Sequence, residues 1–262
     1  MTKTVKEITE ALQAAKVYAS WMKDIEKDER AGVQKAWKQW VSRREKEKKK
    51  REEHEKKIQF DRSFLSSDQQ LLVGLDEAGR GPLAGPVVTA AVILPKDCEP
   101  FLGINDSKQL SKKVREEFAQ IIKGHALAYS IHFQSAQVID EINIYEATKQ
   151  SMKKCVESLT IRPDFCIVDA LVLPIDIPQQ SIIKGDAKSL SIAAASILAK
   201  NARDEYMEKL HLQYPAYGFD QNAGYGTKQH LEALKQYGPI KEHRKSFEPI
   251  KSMMESKERL PI

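Results

Sequence analysis

From residue 71 onward, short runs of aliphatic and β-branched residues alternate with longer helical stretches, and that alternation leaves few folds open. Residues 71–75 are an apolar run that stops at Asp76, and residues 86–94 (PVVTAAVIL) are β-branched and bounded by prolines, as strands are. Residues 126–133 alternate as a third strand, 164–168 (DFCIV) form a buried one ending at Asp169, and 181–183 a short one just before Gly185-Asp186. Helical patterns occupy 111–123, 143–159, the Ala-rich 189–211 and 228–237, with a Gly/Pro-rich loop over 214–226. Strands first, then strand–helix alternation, predict an α/β domain: a mixed sheet flanked by helices.

Upstream the material is different. Thr4-Val5-Lys6-Glu7 fits a capping box, and Ile8, Leu12, Ala15, Ala19 and Met22 then recur at helical spacing. A second amphipathic stretch carries Val33, Trp37, Trp40 and Val41, and residues 43–57 are almost unbroken charge, a solvated helix or a linker. All three tryptophans lie here, on what reads as a small helical hairpin. Residues 1–65 are therefore expected to be a charged helical extension, and 66–262 the main domain with a helical C-terminal part. Residues 1–62 carry 18 Lys+Arg against 12 Asp+Glu, an excess of 6, whereas the whole chain is only at +5. The positive excess thus sits in the extension, and overall charge is a poor argument for nucleic acid. Cys98, Cys155 and Cys166 match neither a disulfide framework nor a zinc pattern, so free thiols in a cytoplasmic protein are expected. No apolar run approaches a membrane span, and no secretory signal is visible.

Acidic residues recur where strands stop: Asp76 and Glu77 after LLVGL, Asp169 after DFCIV, Asp186 after SIIKG. In open α/β sheets the functional crevice lies beyond the carboxyl ends of strands. Four carboxylates meeting there would repel one another unless a cation neutralised them. With no His or Cys beside them, a hard, oxygen-preferring ion such as Mg²⁺ or Mn²⁺ suits the set. Two such ions would serve phosphodiester hydrolysis. Each acid taken singly is better explained by the polar residues that strand ends and surfaces often carry; three strand ends sharing the feature shift that balance.

Asp76-Glu77 runs directly into Ala78-Gly79-Arg80-Gly81-Pro82-Leu83-Ala84-Gly85-Pro86. A dinucleotide turn needs G-x-G-x-x-G opening a helix; here the spacing is G-x-G-x-x-x-G and a strand follows. A backbone notch beside a sugar–phosphate chain fits better. Asn105-Asp106-Ser107-Lys108 could bring Lys108 to a phosphate, while Asp106 or Ser107 would equally cap the helix that follows. Lys184, Lys188, Lys200 and Arg203 flank Asp186, and a solvated helix face accounts for at least half of them. Tyr225, between Gly224 and Gly226, can stack on a sugar or base or simply pack.

Taken together, Asp76-Glu77-Ala78-Gly79-Arg80-Gly81, Asn105-Asp106-Ser107-Lys108, Val168-Asp169, Lys184-Gly185-Asp186, residues 192–200 (IAAASILAK), Gly224-Tyr225 and His243-Arg244-Lys245-Ser246-Phe247 resemble bacterial ribonuclease HII, in that family's order. The resemblance spans residues 71 to about 251. It implies a ribonuclease H-like fold, with endonucleolytic cutting of RNA–DNA hybrids and of duplex DNA 5′ of single ribonucleotides, leaving 3′-hydroxyl and 5′-phosphate ends. It further implies Asp76, Glu77, Asp169 and Asp186 as catalytic metal ligands for Mg²⁺ or Mn²⁺. Gly79, Arg80 and Gly81 would read the 2′-hydroxyl with their backbone, Tyr225 would pack on the ribose, and Lys108 and Lys200 would contact substrate. A monomer is expected. The extension, outside the family core, would contact duplex, dock a protein partner or serve as a solubilising helical appendage. The sister ribonuclease HIII is the competing enzyme, disfavoured by the Gly79-Arg80-Gly81 notch, Tyr225 and a helical N-terminus. A non-catalytic hybrid-binding protein is disfavoured by four placed acids.

Overall fold

The computed structural model describes residues 3–105, 107 and 110–258, which divide into two compact units, residues 1–55 and 56–262. The first is built from α1 (Val5–Ala14), α2 (Met22–Glu26) and the start of α3 (Ala31–Arg62). The capping box is present, Thr4 Oγ1 accepting from Glu7 N–H and Glu7 Oε2 accepting from Thr4 N–H. Ile8, Leu12, Met22, Ile25, Val33, Ala36 and Trp40 form its core. Trp37 stacks on Trp40 at 5.0 Å. Trp40 Nε1 donates to Ala15 O (2.9 Å) and Arg43 Nη2 to Leu12 O (2.8 Å), so α3 satisfies carbonyls that the end of α1 leaves open. The charged run 43–57 continues as helix within α3.

The second unit is a five-stranded mixed sheet in the order β3-β2-β1-β4-β5. Its strands are β1 (Leu72–Ala78), β2 (Val87–Ile93), β3 (Ala128–Gln134), β4 (Phe165–Asp169) and β5 (Gln179–Ile182). β1, β2 and β3 pair antiparallel, whereas β4 and β5 run parallel to β1. Helices flank it as expected: α4 (Lys112–His125), α5 (Ala136–Glu157), the short α6 (Gly185–Lys188), α7 (Leu190–Gln213), α8 (Phe219–Asn222), α9 (Lys228–Tyr237) and α10 (Ile250–Glu258). α7 lies on β1 and β2, and α5 covers β2 and β3. The alanines of α7 explain its closeness: Ala193, Ala194, Ala195 and Ala199 are fully buried, and a Cβ on Gly74 would fall 2.4 Å from the Ser191 carbonyl carbon. Small residues on helix and strand let the two backbones meet.

Several boundaries differ from the sequence reading, among them β5, which spans Gln179–Ile182 and not 181–183, and the expected loop over 214–226, which contains α8. β1 continues to Ala78 because Asp76, Glu77 and Ala78 pair with Ala90, Thr89 and Val88, so both acids are within the strand and not beyond it. α5 starts at Ala136, with Ser135 as cap, instead of at 143; the helical signal from 143 begins at a kink where Asn143 (φ 66°) recaps the chain, its Oδ1 accepting from Tyr145 and Glu146 N–H. α4 is capped by Ser111, not by Ser107, which is buried and bonds Ser196 Oγ at 2.9 Å. The last turns of α3 belong to this unit, where Phe60, Phe64 and Leu65 pack with Leu72, Ile167, Ile182 and Ile192. All three cysteines are buried and stand outside any disulfide. Among the described residues no helix is long and apolar enough to cross a membrane.

Candidate active site

Parallel pairing places Leu75 beside Val168, so the next residues, Asp76 and Asp169, stand side by side. Asp76 is 5% exposed. Burial pushes its carboxyl well above the usual carboxylate range, and the charges of Glu77 and Asp169 push it further; Ser196 and the Glu77 N–H, which donates to Asp76 Oδ1 at 2.7 Å, partly offset this. Asp169 Oδ1 accepts from Gly185 N–H at 2.7 Å. Gly185 is buried, and a Cβ there would lie 2.6 Å from Ile192 Cδ1, so glycine is what lets this turn close on Asp169. Asp186 follows directly, in α6, its Oδ1 accepting from Ala187 N–H.

Lys57, buried in the last turns of α3, donates toward Asp186 O (3.3 Å), Asn105 Oδ1 (3.1 Å) and Ile104 O (3.5 Å), tying the Asp186 turn to the 104–105 segment. Asp61, one turn on, accepts from Ser191 N–H at the start of α7 (2.9 Å). Asp76 thus lies within electrostatic reach of Glu77 and Asp169, and Asp186 follows the turn that bonds Asp169, while among the described residues no three or more His, Cys, Asp or Glu side chains converge with metal-ligand geometry. The donor set still fits a hard divalent cation: it is all oxygen, and ionising Asp76 between Glu77 and Asp169 is disfavoured without positive charge.

The glycine loop follows β1 and is held from behind. Arg244, 0% exposed, donates to Gly79 O (Nη2, 2.6 Å), Arg80 O (Nη1, 2.8 Å) and Gly85 O (Nε 3.1 Å, Nη2 2.9 Å). Arg203, 1% exposed, donates to Ala84 O (3.2 Å) and Pro86 O (3.1 Å). Gly79 has φ +92°, and a Cβ on it would lie 1.9 Å from Arg203 Nε, so the position is doubly restricted to glycine. Burial lowers Arg203 to about 10; burial and the neighbouring charge of Arg203 lower Arg244 to about 9, which leaves both charged at neutral pH. Arg80 keeps a 39% exposed side chain with Nη1 3.5 Å from Glu77 Oε1.

Tyr225 faces this loop. It is 50% exposed, and Cε1 of its ring would lie 3.6 Å from a Cβ on Gly81. Its backbone carbonyl accepts from His230 Nδ1 (2.9 Å), His230 Nε2 meets His243 Nε2 (2.9 Å), and His243 Nδ1 accepts from Ile240 N–H (3.0 Å). The loops also interlock directly, Leu83 N–H donating to Gly224 O and Arg244 N–H to Leu83 O, both at 2.8 Å.

Of the basic residues singled out in the sequence, Lys200 bonds Asp204 one turn along α7 (2.6 Å), and Lys108 lies outside the described residues. Arg203, left open in the sequence between a role beside Asp186 and a solvated helix face, is instead buried beneath the loop. Sequence reasoning assigned no role to Lys57, Arg244, His230 or His243. Arg244 and His243 did stand in a motif that marked the resemblance, but nothing in their spacing pointed to the carbonyls they serve.

Comparison with known proteins covers both units. The family described as Ribonuclease HII matches residues 73–250, and the Ribonuclease HII N-terminal domain matches residues 4–65. The chain is 50% identical over 255 residues to ribonuclease HII of Geobacillus sp. (strain WCH70), covering 97% of this chain and 92% of that protein. It is 53% identical over 229 residues to ribonuclease HII of Bacillus mycoides (strain KBAB4), covering 87% and 89%. The solved structure of ribonuclease H2 from Pyrococcus horikoshii OT3 superposes with a TM-score of 0.64 at 29% identity, covering 73% of this chain and all of that one. The N-terminal segment, set apart in the sequence, therefore has a family match of its own.

Proposed function

The chain belongs to the ribonuclease HII family of nucleases acting on RNA–DNA hybrids, and from that premise we propose that it is a metal-dependent endonuclease that also cuts duplex DNA 5′ of a single embedded ribonucleotide. The observation that carries the reading is the side-by-side placement of Asp76 and Asp169 on parallel strands, with Glu77 between Asp76 and the glycine loop. Asp76, Glu77, Asp169 and Asp186 are the proposed ligands of Mg²⁺ or Mn²⁺, which when bound in a pair lowers the pKa of the attacking water and offsets charge on the leaving oxygen.

The remaining work falls to the chain itself. Gly185 and Lys57 fix the Asp169 and Asp186 turns, so the carboxylates need little reorganisation when substrate arrives. Amides of Gly79, Arg80 and Gly81 read the 2′-hydroxyl, the one group that separates RNA from DNA at a single residue. Tyr225, exposed and next to Gly81, packs its ring on that ribose. Water adds to the phosphorus and the P–O3′ bond breaks, leaving a 3′-hydroxyl upstream and a 5′-phosphate on the ribonucleotide. Residues 1–65, with their cationic excess, form an accessory module that contacts duplex or a protein partner.

The test is a labelled DNA duplex carrying one ribonucleotide, incubated with Mg²⁺ or Mn²⁺ and with EDTA. A single metal-dependent cut 5′ of the ribonucleotide is expected, with an extendable 3′-hydroxyl. Cleavage that persists in EDTA, or no cut at that junction, would refute the assignment.

A further inference from the structure

In a trans peptide the C=O and the following N–H point in opposite directions. Arg244 takes the carbonyls of Gly79 and Arg80, and those peptides carry the N–H groups of Arg80 and Gly81. Whatever fixes the two carbonyls therefore also aims the two amides, away from Arg244. The same guanidinium holds Gly85 O, the far end of the loop, with two of its nitrogens. A planar fork spreads five donors over three nitrogens in fixed directions, whereas an ammonium offers its three from a single nitrogen.

Resting on the ribonuclease reading above, we infer that Arg244 is a positioning residue for ribonucleotide recognition: by gathering the carbonyls of Gly79, Arg80 and Gly85, it turns the Arg80 and Gly81 amides toward the ribose that Tyr225 flanks. Three features go with this role. Arg244 has no exposed surface, so it cannot itself touch substrate. Its backbone is fastened to the same loop through Leu83 O, which places the guanidinium relative to its targets. The two residues after it are clamped by Asp140, whose Oδ2 accepts from Lys245 N–H (2.9 Å) and whose Oδ1 accepts from Ser246 N–H (2.8 Å), so the segment is anchored on its far side too. Arg203 supports the adjoining Ala84 and Pro86 carbonyls but neither of the two peptides that carry these amides.

The experiment compares wild type with Arg244→Lys and Arg244→Ala, all first checked for a cooperative thermal transition. Binding is measured in EDTA to a duplex with one ribonucleotide and to the same duplex in all-deoxy form; cleavage of the former is measured in Mg²⁺. Wild type is expected to prefer the ribonucleotide duplex. In both variants that preference should collapse toward one while all-deoxy binding is unchanged, and cleavage should fall about 100-fold, the effect of a small misplacement of binding groups. Added guanidinium ion at millimolar concentration should restore preference and cleavage to Arg244→Ala, and an equal concentration of methylammonium should not. If Arg244→Ala does not fold, Arg244→Lys, which keeps the charge, carries the test. A folded variant that retains the wild-type preference overturns the role of Arg244 alone. Wild type that neither prefers nor cuts the ribonucleotide duplex overturns the functional reading, and this role with it.

Discussion

Asp76 and Asp169 owe their positions to the backbone ladder of β1 and β4, whereas the loop from Gly79 to Gly85 owes its shape to side chains that arrive from far along the chain. Arg203 bonds carbonyls 117 and 119 residues away, and Arg244 reaches 159 to 165 residues. A ladder is insensitive to which side chain it carries, so it can hold acids that repel one another. A loop with carbonyls turned inward needs donors, and here buried guanidiniums meet that need. The two halves of the site should therefore respond to substitution in opposite ways: the acid half is destabilising and tolerates change in stability terms, while the loop half is stabilising and does not.

The largest effect is expected from Asp76→Asn. Cleavage should fall by about 10³-fold or more, several kcal/mol of transition-state stabilisation. Stability should move the other way. An acid whose folded pKa is raised weakens the fold as pH rises through the unfolded carboxylate range, so at pH 7 Asp76 is a net cost in metal-free protein. The Asn variant should melt roughly 2–4 °C higher in EDTA, the shift that about 1 kcal/mol produces in a chain of this size. A lower melting temperature would mean that the carboxylate is satisfied in the fold, and the contrast between the halves would fail.

Gly79→Ala is the matching change on the loop side, and both readouts should fall. The new methyl meets Arg203 Nε, and the φ of +92° is strained for alanine. Arg203 cannot retreat without releasing the Ala84 and Pro86 carbonyls. A loss of about 2–4 kcal/mol is expected by calorimetry, with cleavage at a single ribonucleotide down about 100-fold. Unchanged stability would show that the loop yields easily and that the buried arginines do not fix it.

The same contrast explains what could be read in advance. Strand runs, their terminal acids and the Ala-rich helix are local signals, and the mixed sheet with flanking helices followed from them. The side-by-side register of Asp76 with Asp169 is not local, and neither is the extension of β1 to Ala78, which depends on β2 pairing. Arg203 was hidden because α7 is buried on nearly every side over 190–199, so its periodicity marks no outer face from which a cation could be assigned inward or outward. Lys57 was hidden for the reverse reason. It lies at the end of a run of charge in which each residue looks solvated, yet it is one of the few there that is buried. Asn143 and Ser111 show a third limit, since several residues near each helix start could cap it and only tertiary packing selects one.

The smallest predicted effect concerns the joint behind Tyr225, and its sign follows from the hydrogen bonds. Tyr225 O can only accept, so His230 carries its proton on Nδ1; Ile240 N–H donates to His243 Nδ1, so His243 carries its proton on Nε2 and donates to His230 Nε2. Every ring nitrogen is then used, and protonating either ring sets two N–H groups against each other. Burial, then the other histidine, lowers His243 to about 4, and burial lowers His230. A histidine with a depressed pKa contributes stability that is complete above its unfolded value, about 6.5, and is lost as pH falls toward the folded value. Between pH 7 and pH 4 this should remove up to about 3 kcal/mol. Asp61, raised to about 6 by burial, and Asp76 act in the opposite sense, since acid relieves them. Wild type alone cannot separate these contributions. The informative quantity is the difference in melting temperature between wild type and His243→Gln across that range: the variant should be less stable at pH 7 and the gap should close as the pH approaches 4. A gap independent of pH would mean that the imidazoles are not the acid-labile joint, and that the backbone bonds between Leu83 and Gly224 hold Tyr225 in place without them.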